Sequence, residues 1–237
     1  MELKILFNSA AIQNDLSIGW GFSCLVDNRL LFDTGEKAVH LANNLDRLKI
    51  DLTPLKAVVI SHDHRDHAGG LEEVLKRKPG INVCICPNFS RELKQKVELF
   101  GGCLIENSDF CEIENNIYVT GEITGTYKEK NIAEQALVID SDNGLTVITG
   151  CAHPGILEIL EKVRQRFSGK QIYAILGGFH LMNKPRRTIN AIVRRFVELG
   201  IKKVGPTHCT GSDAVDSFKK AYKNDCYELR VGEGIVV

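Results

Sequence analysis

Residues 62–67 read His62-Asp63-His64-Arg65-Asp66-His67; the apolar run Lys56-Ala57-Val58-Val59-Ile60 precedes them and Gly69-Gly70 follows. β-Branched residues giving way to a polar run and paired glycines describe a strand that ends in a loop. Such a loop can aim several side chains at one point. Three imidazoles interleaved with two carboxylates in six positions are more than a surface turn collects by chance. Neutral imidazole nitrogen and carboxylate oxygen are donors suited to Zn²⁺, Fe or Mn²⁺. The segment predicts a metal site at the end of a strand.

Outward from this segment, the other polar surprises also fall at strand ends. The apolar stretch Leu145–Thr149 leads into Gly150-Cys151-Ala152-His153-Pro154-Gly155, Ile172–Leu176 into Gly177-Gly178-Phe179-His180, and the residues around Val204 into Gly205-Pro206-Thr207-His208-Cys209-Thr210-Gly211. Each loop joins a predicted strand to a predicted helix and carries one histidine. In layered α/β proteins such carboxyl-end loops gather along one edge, where sites form. A two-metal site needs more donors than one loop offers, so His153 and His208 are expected as further ligands. His180 is open between a ligand and an acid or substrate contact. The seventh histidine, His40, falls inside a predicted helix and reads as a packing or surface residue.

The rest of the chain alternates strands with helices. Strands are predicted at Leu3–Phe7, Phe22–Val26 and Arg29–Phe32, the last two joined by Asp27-Asn28. Further strands are predicted at Ala57–Ile60, Val83–Cys86, Ile117–Thr120, Ala136–Ile139, Leu145–Thr149 and Ile172–Leu176, around Val204, and near Tyr227–Leu229. Helices are predicted over Glu36–Arg47, with Val39, Leu41, Ala42 and Leu45 as the apolar side, and over Leu71–Lys76, Arg91–Phe100 and Gly155–Phe167. Another follows Pro185 and buries Ile189, Ile192, Val193, Phe196 and Val197, and a last one spans Asp213–Tyr222. No linker or short repeat divides the chain. The expectation is a single α/β domain over residues 1–237, two facing sheets with helices outside in a four-layer αββα sandwich.

Composition bounds the function. The chain has 237 residues, 43% of them apolar, and Lys plus Arg (30) equals Asp plus Glu (30). Zero net charge argues against a nucleic-acid platform. No stretch approaches a membrane span, and the N-terminus lacks the long apolar stretch and cleavage site of a signal peptide. A cytoplasmic protein acting on a small-molecule substrate is expected. The eight cysteines are then expected as reduced thiols, mostly small core residues. Cys151 and Cys209 differ in lying beside site histidines.

At this point the chain resembles the metallo-β-lactamase superfamily. His62-Asp63-His64-Arg65-Asp66-His67 is similar to that family's HxHxDH signature, and Asp33 in Leu31-Phe32-Asp33-Thr34-Gly35 to its early LfDtG element. Thr149-Gly-Cys-Ala-His-Pro-Gly155, Gly177-Gly-Phe-His180 and Pro206-Thr-His-Cys-Thr-Gly211 are similar to a narrower group, the 7,8-dihydropterin-6-methyl-4-(β-D-ribofuranosyl)-aminobenzene-5′-phosphate synthase-like proteins. The resemblance implies an αββα sandwich and a binuclear centre, with two divalent ions, zinc foremost and manganese or iron as alternatives. It implies His62, His64 and His153 on one metal and Asp66, His67 and His208 on the other. The superfamily's hydrolases commonly add a bridging Asp where this chain has Cys151, which makes Cys151 a weaker candidate ligand. They also place a ligand histidine upstream, where the local match is Thr120-Gly-Glu-Ile123; Glu122 is a second weak candidate.

Paired cations would bring the pKa of a shared water toward neutrality and make hydroxide available. In that chemistry Asp63 would orient a ligand or accept a proton, His180 would protonate the leaving group, and Asp33 would support ligand imidazoles from behind. The expected activity is hydrolysis of an ester, thioester, lactam or phosphodiester-like bond. The subgroup's name offers a transferase that releases pyrophosphate. A non-catalytic metal sensor is the non-enzyme alternative, and open coordination would distinguish the enzyme from it.

Overall fold

The computed structural model describes residues 1–237. Strand β1 (Glu2–Phe7) pairs antiparallel with β2 (Ser23–Val26), which turns into β3 (Leu30–Phe32). Asp27, Asn28 and Arg29 connect the paired Val26 and Leu30, and Asp27 and Asn28 take left-handed φ of 46° and 55°, which their short polar side chains tolerate. Helix α1 (Ala38–Arg47) then crosses to β4 (Ala57–Val59), which lies parallel to β3. Helices α2 (Arg65–Ala68) and α3 (Leu71–Arg77) lead to β5 (Asn82–Ile85), and α4 (Arg91–Leu99) to β6 (Cys103–Glu106), both parallel additions.

The second half continues with β7 (Cys111–Glu114), β8 (Ile117–Val119), the hairpin β9 (Ile123–Tyr127) and β10 (Lys130–Glu134), then β11 (Leu137–Ser141) and β12 (Gly144–Thr149). Helix α5 (Ile156–Arg166), β13 (Ile172–Gly178), α6 (Arg186–Glu198), β14 (Lys203–Thr207) and α7 (Ser212–Tyr222) follow, and β15 (Gly234–Val236) closes the chain. One sheet runs β15-β1-β2-β3-β4-β5-β6 and the other β14-β13-β12-β11-β8-β7, while β9 and β10 form a separate ribbon.

Three apolar cores fix the layers. Ile5, Cys24, Phe32 and Val59 of the first sheet meet Ile117, Leu137, Ile148 and Leu176 of the second, forming the middle core. Leu41, Leu45, Leu71, Val74 and Leu93 cover the outer face of the first sheet, and Ile159, Val163, Ile189, Phe196 and Phe218 that of the second. Alternate residues of each strand serve opposite cores, as a sheet buried on both faces demands. The four-layer αββα sandwich is therefore present.

Several expectations are corrected. Val39 of α1 and Val197 of α6 are 70% and 56% exposed, so the buried stripes are narrower than their hydropathy suggests. Tyr227–Leu229 is no strand; only Cys226 bridges Val204, and the last strand is Gly234–Val236, paired with β1. Strands β6 and β7 and the β9–β10 ribbon carry too many polar residues to read as strands from pattern alone. No helix is long and apolar enough to cross a membrane.

Candidate metal centre

Parallel strands β3, β4, β12, β13 and β14 all end at one edge, and their carboxyl-end loops supply Asp33, the 62–67 segment, Cys151 with His153, His180 and His208. The 62–67 segment is only half loop: Arg65–Ala68 forms one helical turn, which places Asp66 and His67 on it. Backbone strain gathers here. Asp33, Ala152, His180 and His208 have φ of 55°, 61°, 52° and 52°, left-handed values uncommon for such residues and most often maintained at functional sites.

The donors form contiguous groups. Asp66, His67, Cys151 and His208 offer ligand atoms within 4.8 Å of one another, as do His62, His64 and His153, and also Cys151, His153 and His180. His67 Nε2 lies 3.2 Å from His208 Nε2 and 3.4 Å from Cys151 Sγ, and Asp66 Oδ2 lies 3.1 Å from His208 Nε2 and 3.5 Å from His67 Nε2. Nitrogen and sulfur ligands around one tetrahedral ion stand roughly 3.3–3.8 Å apart, so the spacing suits a shared cation. His62 Nε2 is buried with no hydrogen-bond partner, a rare state for a polar atom unless a ligand completes it.

Hydrogen bonds behind the imidazoles fix which nitrogen faces the cluster. Asp33 accepts from the Ser61 N–H at 2.7 Å and the Ser61 hydroxyl at 2.8 Å. With its proton so committed, Ser61 Oγ accepts from His62 Nδ1 at 2.9 Å, which assigns the tautomer from the network. His67 Nδ1 donates to Asp33 Oδ2 at 2.6 Å and His153 Nδ1 to Glu134 Oε2 at 2.9 Å. Three imidazoles thus direct Nε2 inward, the arrangement that partners behind metal-binding histidines impose.

Glu134 went unrecognised in the sequence. Its buried carboxylate accepts the successive N–H groups of Cys151, Ala152 and His153 at 3.0, 2.7 and 2.8 Å. Ala152 in the left-handed region turns these amides onto one anion, a backbone nest. Burial opposes ionisation of Glu134, but His153 and the nest amides outweigh it and hold the carboxyl below its ordinary range. The available signal was a Glu134-Gln135 pair inside the otherwise apolar Ile132–Ile139. Gln135 Nε2 donates to the carbonyls of Ile60 and Cys84 and ties this segment to the first sheet.

The potential at the cluster favours a cation. Burial disfavours the charged form of His67, yet Asp33 and Asp66 overcome it and raise the pKa to about 10. Burial likewise opposes ionisation of Asp66, but hydrogen bonds with His208 and His67 hold its carboxyl well below the usual range. On the other side, burial and then the neighbouring His67, His153 and His64 push His62 well down; burial and then His153 lower His64. Burial raises the Cys151 thiol. Two carboxylates, Asp33 and Asp66, thus face the His67 ring, and positive charge is favoured there.

Two expected site residues make their hydrogen bonds away from the donor groups. Glu122 binds the Asn88 side chain and N–H at 2.6 and 3.0 Å and is not in any donor group. Asp63 Oδ2 accepts from the Ser90 N–H at 2.8 Å, just before α4, and not from a ligand imidazole. His40 stacks near Phe7 with centroids 6.2 Å apart, away from the cluster. Two aromatic rings flank the donors: Trp20 lies 4.5 Å from His208, and Tyr127 lies 4.7 Å from His64 and 5.3 Å from His153, between ring centroids.

Comparison with known proteins accords with this geometry. A family model described as anti-Pycsar protein Apyc1 matches residues 22–94. The 7,8-dihydropterin-6-methyl-4-(β-D-ribofuranosyl)-aminobenzene-5′-phosphate synthase of Methanocaldococcus jannaschii is 28% identical over 247 aligned positions, covering 88% of this chain and 84% of that protein. The crystal structure of Tm1679, a metal-dependent hydrolase of the β-lactamase superfamily, is 32% identical with a TM-score of 0.82 and covers 100% of this chain and 99% of that one. Human tRNase Z, short form, is similar in fold at 14% identity and a TM-score of 0.66, covering 100% and 99%.

Proposed function

The chain belongs to the metallo-β-lactamase superfamily, and from that premise we propose that it is a binuclear metal-dependent hydrolase of an ester, thioester, lactam or phosphodiester-like bond. The observation that carries this reading is the meeting of the two groups, Asp66–His67–Cys151–His208 and His62–His64–His153, at one sheet edge. His62, His64 and His153 would hold one ion, and Asp66, His67 and His208 the other, with Cys151 in reach of the second set. Divalent cations there, zinc foremost, supply Lewis acidity toward water and the bond under attack.

The remaining work falls to the chain's own groups. Asp33, Ser61 and Glu134 keep the imidazoles in one tautomer and orientation, so the donors need no rearrangement on binding. Buried walls exclude bulk water and strengthen each charge interaction. His180 stands 4.5 Å from His153 between centroids and remains half-buried, placed to hand a proton to a departing oxygen or nitrogen. Asp63 fixes the start of α4 through Ser90 and lines the opening beside His64, where it would orient a ligand or accept a proton.

Metal analysis of freshly purified protein, followed by a hydrolysis screen over phosphodiesters, lactones, thioesters and β-lactams with and without chelator, tests the proposal. Activity on any class that chelation leaves intact overturns it. A second reading, a pyrophosphate-releasing transferase, draws support from the 28% identity to the Methanocaldococcus jannaschii synthase. Release of pyrophosphate from a dihydropterin pyrophosphate and a ribofuranosyl-aminobenzene phosphate on metal-loaded protein would replace the hydrolase reading with that one.

A further inference from the structure

Five of the eight cysteines are buried, and they divide into two kinds. Cys24, Cys84 and Cys86 pack in the apolar cores, as buried thiols commonly do. Cys151 and Cys209 are as well enclosed, 4% and 7% exposed, yet they belong to none of the three cores. They sit in the turns that follow β12 and β14, at the edge that carries the donor groups.

The two cysteines meet over a glycine. Cys209 Sγ lies 3.4 Å from the Cys151 carbonyl oxygen, and the two side chains hydrogen-bond to one another. Strand β13 runs between β12 and β14 and ends at Gly178. A Cβ on Gly178 would fall 2.7 Å from Cys209 Sγ and 3.3 Å from Cys151 Cα. Any side chain at 178 would therefore fill the space through which the cysteines approach, and glycine leaves it clear. Cys151 Sγ is also 3.4 Å from His67 Nε2. It stands in two donor groups, one with Asp66, His67 and His208 and one with His153 and His180. One sulfur thus has two partners within reach, a metal ion and a second thiol, and it cannot serve both.

We propose that Cys151 and Cys209 are a redox pair: a hydroperoxide converts them to a disulfide, which withdraws the Cys151 sulfur from its donor group and releases the ion held there with Asp66, His67 and His208. With hydrogen peroxide the steps balance. The Cys151 sulfur attacks the O–O bond and becomes a sulfenic acid, while the departing oxygen takes the thiol proton and leaves as water. The Cys209 sulfur then displaces the sulfenic oxygen, which leaves with the Cys209 proton as a second water. Two thiols are oxidised to one disulfide and one peroxide is reduced. The backbone on both sides is already anchored: the Cys151 N–H donates to Glu134 and the Cys209 carbonyl accepts from the Met182 N–H. A disulfide that closes only under oxidant is the regulatory kind found where thiols are otherwise kept reduced. Release of the ion rests on the two-metal reading above; the link between the sulfurs does not.

Zinc-loaded protein treated with hydrogen peroxide, alkylated without reductant and digested, tests the pair by peptide mass. The expected product joins the Cys151 peptide to the Cys209 peptide, with about one equivalent of zinc passing to a chromophoric indicator per linked chain. Added reductant should restore both thiols and the uptake of zinc. Cys209→Ser should give no link, and its zinc uptake should stay impaired after reduction, because Cys151 without its partner oxidises past the sulfenic stage. Absence of a link in wild type, a link from either residue to another cysteine, or a link that leaves zinc in place overturns the proposal. Wild type alone decides this if the variant misfolds. No readout needs turnover, so failure of the hydrolysis screen would sink the hydrolase reading and leave this result standing.

Discussion

His67 Nδ1 and Asp33 Oδ2 are 2.6 Å apart, and both side chains are fully shut away from solvent. The carboxylate faces the imidazole from behind, so the opposite nitrogen meets Cys151, Asp66 and His208. Substituting Asp33→Asn keeps the shape but removes the charge that fixes this orientation. Metal affinity should fall about 10- to 100-fold, read by competition with a chromophoric chelator; an unchanged affinity would deny Asp33 any part in holding the site.

The same pair sets a pH dependence in metal-free protein. The pKa of His67 is raised to about 10 from an ordinary 6.5, so the folded state binds the proton more tightly than the unfolded chain. The resulting stability is fully present below about 6.5 and is lost as pH climbs through about 10. Denaturant midpoints should decline across that window in wild type and stay flatter in His67→Gln. Parallel curves would refute the assignment.

Glu134 accepts four hydrogen bonds, one more than the Asp33 carboxylate. Glu134→Ala leaves three backbone amides and the His153 ring without their acceptor in a buried place. The expected loss is about 3–5 kcal/mol, measured by chemical unfolding, with poorer metal retention by His62, His64 and His153. A loss within experimental error would mean that water enters to replace the carboxylate.

Cys151 should reveal itself through cobalt. Its sulfur is 3.4 Å from His67 Nε2, and thiolate is the soft donor of the set. Cobalt-substituted protein is expected to show a near-ultraviolet sulfur-to-metal absorption that Cys151→Ser abolishes. Identical spectra would place the thiol outside the coordination sphere.

His180→Gln removes the proposed proton donor without touching the six residues assigned to the metals. Metal content should hold, while turnover of the best substrate from the screen drops about 10²- to 10⁴-fold. Intact turnover would reassign His180 to binding or structure.

Sequence pattern exposed this site because its donors are crowded and repeat one placement, a histidine just beyond an apolar run. The His62–His67 segment, His153, His180 and His208 could be read that way, as could the Asp27-Asn28 turn. Glu134 could not: one carboxylate in an apolar strand announces burial but not its partner, and the partner is a nest formed by Ala152 in a left-handed conformation. Glu122 entered as the local match to a ligand turn of the superfamily's hydrolases; in the fold its carboxylate lies against Asn88, outside the donor groups. Strand β15 escaped because its ladder joins the two ends of the chain, and no local window contains that pairing. Val39 and Val197 show the converse, apolar residues that a helix wheel buries and the fold leaves outside.

The two ends of the β9–β10 ribbon tolerate change differently. At its root Glu134 is locked to the cluster's own loop, whereas Lys128, Glu129, Lys130 and Asn131 at the far end are all exposed. Rewriting those four positions leaves the holder intact, much as a nib is exchanged on a fixed pen. Changes confined to that outermost turn should therefore be absorbed without disturbing the amides that hold Glu134.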